Sequence, residues 1–138
     1  MNKKNNLEKS STKGKPPSHM PAEHQFTLER GWLYWFDPVK KTEIDASPLI
    51  VILSNTIHNK LSDHIVIALA SGKNVGTASN SFEVYCEVEG RKLKVLVSEI
   101  HTITKERFFG RAVYLGKMNK EHREEVNEKL RLILQLNN

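Results

Sequence analysis

Two short apolar runs, Trp32–Phe36 and Leu49–Leu53, flank a mostly polar stretch from Asp37 to Ser47. No other feature limits the possible folds as much. Both runs are built from aromatic, β-branched and other apolar side chains that suit a pleated, half-buried surface. The stretch between them opens with Asp37-Pro38, carries Lys40 and Lys41, and closes with Ser47-Pro48. A strand, a loop and a second strand are therefore expected, with the prolines as punctuation. Eleven residues is long for a plain hairpin connection, and long loops on a compact β scaffold tend to carry function.

The rest of the chain extends this pattern. Thr56–Leu61 suits one helical turn, and His64–Ala70 is a third apolar strand. Ser71–Ser81 is rich in Gly, Ser, Asn and Thr and reads as a loop. From Phe82 to Val88 the residues alternate: Phe82, Val84, Cys86 and Val88 face one way, Glu83, Tyr85 and Glu87 the other. Glu89-Gly90 is a turn and Lys92–Val97 the returning strand, which makes an antiparallel hairpin. Ser98–Phe109 reads as a connector with a helical turn from Thr104. Gly110 and Ala112–Leu115 suit a short last strand, and Asn119 caps a helix expected to run to about Leu136. Along that helix Val126, Leu130, Ile133 and Leu134 recur at helical spacing and form a docking stripe. In the first run, alternation places Trp32 and Tyr34 on one face and Trp35 on the other. A core role is the favoured reading for at least one of these faces, ahead of a stacking platform for unpaired bases. The fold class is mainly β with a C-terminal helix, a small barrel of the α+β kind.

Composition sets the outer limits. A chain of 138 residues suits one modest core. Residues 1–24 are nearly empty of large apolar side chains and hold five lysines against Glu8 and Glu23, a surplus of three positive charges. Such a segment cannot bury enough surface to offset its ordering entropy, so 1–24 reads as a disordered basic tail and 25–138 as the folded domain. The overall net charge of +5 is thus mostly in the tail, compatible with nucleic-acid binding and equally with a solubilising arm. No run approaches a membrane span and no signal peptide is visible, so a cytoplasmic protein is expected. The single cysteine, Cys86, excludes an internal disulfide and suits a buried apolar position. The six histidines (His19, His24, His58, His64, His101 and His122) lack metal-ligand spacing, and His122 is expected on the exposed face of its helix. No cofactor or metal is expected.

Several of these residues fall in a familiar order. Arg30-Gly31, the aromatic run, Asp37-Pro38, Thr42-Glu43, Ser47-Pro48 and Ser54-Asn55 follow one another, and Ile100, Thr102, Ile103, Lys105 and Arg107 form a second block. The sequence resembles the MazF/PemK/Kid toxins over about residues 29–136. The resemblance implies an SH3-like β-barrel of the CcdB/PemK type, a homodimer, an antitoxin partner and metal-independent cleavage of single-stranded RNA. In that chemistry a ribose 2′-OH attacks the adjacent phosphorus and leaves a cyclic phosphate and a free 5′-hydroxyl. It needs a base, an acid and groups that stabilise the phosphorane charge.

Carried over position by position, the resemblance gives a changed site. The loop is about one residue short, and Ser47 stands where the family has an arginine. Ala70 falls at the position of a helpful threonine, with Ser71 next, and two positions charged in some members read Leu96 and Ser98. Serine holds no positive charge and alanine donates nothing. The expected catalytic set is therefore Glu43, Ser47 and Ser71, with Glu43 as base and Ser71 as donor to a non-bridging oxygen. Lys40, Lys41, Lys73 and Asn74 are the expected RNA-binding residues. The plainer reading of the lysine pair is a solvated loop, and of Glu43 a surface carboxylate. A sequence-specific endoribonuclease toxin is the first functional expectation. A related module that binds RNA or an antitoxin without cutting is the alternative. A CcdB-like action on a topoisomerase subunit is disfavoured by the Ser47-Pro48 and Ile100–Arg107 matches.

Overall fold

The computed structural model describes residues 28–36, 49–73, 75–76 and 82–136. The expected basic tail 1–24 and the expected loop Asp37–Ser47 lie outside them. Six strands form one antiparallel sheet: β1 (Trp32–Phe36), β2 (Leu49–Ile52), β3 (His64–Ser71), β4 (Glu83–Val88), β5 (Arg91–Thr104) and β6 (Ala112–Lys117). Their spatial order is β4-β5-β3-β2-β1-β6. Among the described residues three helices accompany the sheet: α1 (Thr56–Leu61), α2 (Lys105–Arg111) and α3 (Lys120–Leu134).

The long strand β5 gives the sheet its curvature. Where β3 advances from Ala68 to Leu69, β5 advances from Ile100 to Leu96, leaving Val97, Ser98 and Glu99 outside the ladder. Extra residues on one strand bend it and increase its twist. The β4–β5 hairpin folds back until the side chains of Val88 and Glu89 lie against Gly116 on β6. The expected connector Ser98–Phe109 is accordingly half strand. Ile100–Thr104 continue the ladder on β3, and α2 starts only at Lys105. Gly110 belongs to α2 rather than to the last strand.

Each face of the sheet carries its own core. The inner cluster joins Leu33, Val51, Ala68 and Ala70 to Val84, Cys86, Val88, Leu93 and Val95, with Met118 and Val126 closing it. Trp35, Leu130 and Ile133 pack against it. The outer cluster holds Trp32, Tyr34, Phe36, Ile50, Ile52, Ile65, Ile67, Leu69 and Phe108. Tyr34 meets Phe108 edge to face at 4.7 Å and Tyr114 at 5.5 Å, and Trp32 meets Tyr114 at 5.4 Å. Buried in these contacts, Trp32 and Tyr34 serve the core and are unavailable as a stacking platform.

Local signals set the helix ends. Asn55, Thr104 and Asn119 each accept a backbone N–H from three residues on, so all three act as N-caps. Helix α3 stops at Leu134 because Gln135 turns left-handed and Leu136 N–H bonds back to Arg131. Leu134, expected in the docking stripe, is exposed instead. His122 is half-buried with its Nδ1 shielded, not on the open face. No helix among the described residues is long and apolar enough to cross a membrane.

Candidate functional site

One end of the curved sheet gathers the strand ends that matter. The chain leaves β1 at Phe36 and returns at Leu49, which pairs with Ala70; Ala70 pairs in turn with Val95. The loop that contains Lys40, Lys41, Glu43 and Ser47 is thus rooted beside the last residues of β3. Those four residues, and Asn74, lie outside the described residues.

Strand parity separates Ala70 from Ser71. Ala70 is fully buried in the inner cluster, while Ser71 points to the opposite face and is half-buried. Of this pair only Ser71 can present a group to a ligand outside the barrel. Its Oγ accepts the Lys73 backbone N–H at 3.1 Å, which closes a short turn and leaves the hydroxyl hydrogen available to donate. Lys73 is exposed just beyond it.

Three further residues complete this face, and none of them was singled out from the sequence for chemistry. Ser71 pairs with Lys94 on β5, and Lys94 pairs with Tyr85 on β4. Lys94 Nζ lies 3.6 Å from Glu83 Oε1, with the two side chains only 13% and 11% exposed. The pair is diagonal across the hairpin, since Glu83 itself stands opposite Leu96. A register signal was present: counting outward from a two-residue Glu89-Gly90 turn already puts residue 85 opposite 94. Leu96 packs against the outer cluster and Ser98 sits exposed in the unpaired stretch of β5, so neither joins this row.

Ser71, Lys94, Glu83 and Tyr85 thus offer a hydroxyl donor, an ammonium, a carboxylate and a phenol ring along one side of two neighbouring strand pairs. This is suited to holding a phosphodiester at the strand ends. Two cavities, of about 310 and 220 Å³, flank Arg30 on the α3 side, the smaller lined by Arg30, Lys120, Arg123, Glu124 and Asn127. They contain none of the expected site residues. No three His, Cys, Asp or Glu side chains among the described residues come together as a metal site.

The family profile described as PemK-like, MazF-like toxin of type II toxin–antitoxin system matches residues 29–134. The chain belongs to this family. No curated protein is similar enough in sequence to count as a relative. Among solved structures, MazF from Deinococcus radiodurans superposes with a TM-score of 0.64 at 17% identity, over 80% of this chain and 99% of that one. An endoribonuclease from a mycobacterial species gives 0.61 at 19%, over 80% and 93%. A mycobacterial endoribonuclease in complex with its cognate antitoxin gives 0.63 at 19%, over 79% and 96%. At these identities the likeness establishes the PemK/MazF fold, not the chemistry of individual residues.

Within that fold the family-marking residues divide into two groups. Ser54 and Asn55 make a tether and a cap, and Ile103 is core.

Proposed function

We propose that this PemK/MazF-family chain is a toxin that cleaves single-stranded RNA at a short sequence without a metal ion. Ser71 carries the proposal, a hydroxyl facing outward at the end of β3, beside the roots of the loop that bears Glu43. The ribose 2′-oxygen forms its bond to phosphorus as the bond from phosphorus to the 5′-oxygen breaks. Glu43 takes the 2′-OH proton, and an ammonium of Lys40 or Lys41 returns one to the leaving 5′-oxygen. Ser71 donates to a non-bridging oxygen while Ser47, Lys73 and Asn74 hold the strand. The nucleophile belongs to the substrate, so no metal-bound water is needed. The active form is a cytoplasmic homodimer, restrained by an antitoxin protein.

A second reading has its own support. Ser47 replaces the family arginine and Ala70 faces the barrel interior, so the chain can bind RNA or an antitoxin and leave the phosphodiester intact. Incubation of purified protein with mixed-sequence RNA, followed by mapping of 5′-hydroxyl ends, separates the two. New ends at one short motif, lost in Glu43→Ala/Ser71→Ala, support the nuclease with these residues. Ends unchanged in the double variant keep the nuclease and remove the residues. No ends at enzyme excess leave the binding module.

A further inference from the structure

We infer that Lys94 is the phosphate-binding cation of this site, held in position by Glu83; the inference rests on the reading of the strand ends as an RNA site. The starting point is a missing charge. Ser47 cannot neutralise a phosphorane, and a site that cleaves or grips a phosphodiester needs a cation at the reacting phosphorus. Among the described residues of β3, β4 and β5, Lys94 is the lysine whose strand position lies directly across from Ser71. Side chains paired in this way have Cβ atoms about 5 Å apart on one face of the sheet. A phosphate bound by the Ser71 hydroxyl is therefore within the span of a lysine side chain.

The ion pair shapes what Lys94 can do. At 3.6 Å its contact with Glu83 on β4, on the other side of β5 from Ser71, restrains the side chain without forming a tight hydrogen bond. The ammonium keeps its N–H donors for an oxyanion. Both side chains are largely shielded from water, which strengthens the field at the ammonium and lowers the freedom lost on binding. As a purely structural element the pair is a poor choice. Two shielded charges cost desolvation that their attraction only partly returns, and an apolar pair would hold the hairpin as well. Lys92 on the same strand face stands opposite Glu87 and is exposed, and Lys73 is exposed beyond Ser71. These supply screened, general attraction, whereas Lys94 is shielded and paired.

The test uses the full-length protein and a mixed-sequence 2′-O-methyl oligonucleotide, which binds but cannot be cut, alongside the cleavable RNA. Binding is measured against salt concentration. Lys94→Gln should weaken binding and reduce the salt slope by about 0.7, the loss of one phosphate contact to a single strand. Single-turnover cleavage should fall about 10²–10³-fold, and Lys94→Arg should restore most of both. Glu83→Gln breaks the same ion pair but keeps the ammonium, so it should leave the salt slope unchanged. Equal losses in Lys94→Gln and Glu83→Gln would show a structural pair and overturn the inference. So would a Lys94→Gln protein with the parental slope, or a parent that does not bind the oligonucleotide. If the parent binds without cutting, the nuclease reading fails, while the slope still decides for or against Lys94. Should Lys94→Gln misfold, Lys94→Met/Glu83→Leu, an apolar pair at the same positions, takes its place with the same expected slope.

Discussion

Ser54 donates through Oγ to Asn59 Oδ1 at 2.5 Å, and this contact locks the turn between β2 and β3. Asn59 is the buried polar residue among those described, and its amide nitrogen donates to the carbonyls of Leu28 and Ser54 at 3.0 and 2.9 Å. Ser54 Oγ also accepts Val66 N–H at 3.0 Å. Asn59→Leu fills similar volume but strands the Leu28 and Ser54 carbonyls. A loss of about 3 kcal/mol is expected, since each buried unpaired group costs about 1–3 kcal/mol. The urea unfolding midpoint checks it, and a change under 1 kcal/mol would show that water or a local shift replaces the amide.

At the other side of that turn Arg30 ties the start of β1 to α3. Its Nε donates to Leu53 O and its Nη1 to Asn127 Oδ1, at 2.8 and 2.9 Å. The adjacent Gly31 has φ +92° and lies under the stem of Arg123, where a Cβ would collide with Cγ and Cδ. Gly31→Ala therefore meets both a strained backbone and a clash, and is expected to cost about 2–3 kcal/mol. Adding Arg123→Ala should recover part of that cost by removing the clash and none of the backbone part. Thermal unfolding of both variants reads the difference. Additive effects would mean that Arg123 swings away freely.

These two knots mark what the sequence could and could not convey. The strand pair around the polar stretch, the hairpin, the Asn119 N-cap and the opposite faces of Trp32 and Trp35 were all legible, because each depends on local period or a single capping side chain. The bend of β5 was not. Ser98 and Glu99 break the apolar alternation, and only the pairing with β3 shows that they are extra residues in a continuing strand. Leu134 fits a helical stripe by spacing, yet as the last residue of α3 it is left exposed. At the site, Ser71 was legible as a loop-edge hydroxyl. The Lys94–Glu83 pair was hidden because it joins two strands diagonally, and charges at alternating positions ordinarily mean a solvated face. The loop residues Lys40, Lys41, Glu43 and Ser47 lie outside the described residues.

Cys86 gives a direct probe of barrel integrity. Burial, with a smaller contribution from Glu125, pushes its thiol up to about 11. Only about one molecule in a thousand carries the thiolate at pH 8, and the sulfur lies inside the inner cluster. Aromatic disulfide reagents should therefore react slowly with the folded protein at pH 8 and rapidly in denaturing urea. Fast labelling under native conditions would show that the β4–β5 hairpin opens readily.

The last prediction concerns Tyr34, whose ring is fully buried and whose hydroxyl finds no hydrogen-bond acceptor among the described residues. Burial first, and Tyr114 second, raise its pKa far above the usual 10. The folded protein holds the phenol neutral, while the unfolded chain ionises near pH 10. Its contribution to stability is thus fully present below pH 10 and is lost as pH rises beyond it, at up to about 1.4 kcal/mol per pH unit. Tyr34→Phe keeps the edge-to-face contacts with Phe108 and Tyr114 and removes both the unpaired hydroxyl and the titration. At pH 8 the variant should equal the parent or exceed it by about 1 kcal/mol. At pH 11 the gap should widen by about a further 1 kcal/mol. Urea unfolding at the two pH values measures both quantities. A variant less stable than the parent at pH 8 would show that the hydroxyl has a partner, and a gap independent of pH would show that it ionises in the folded state.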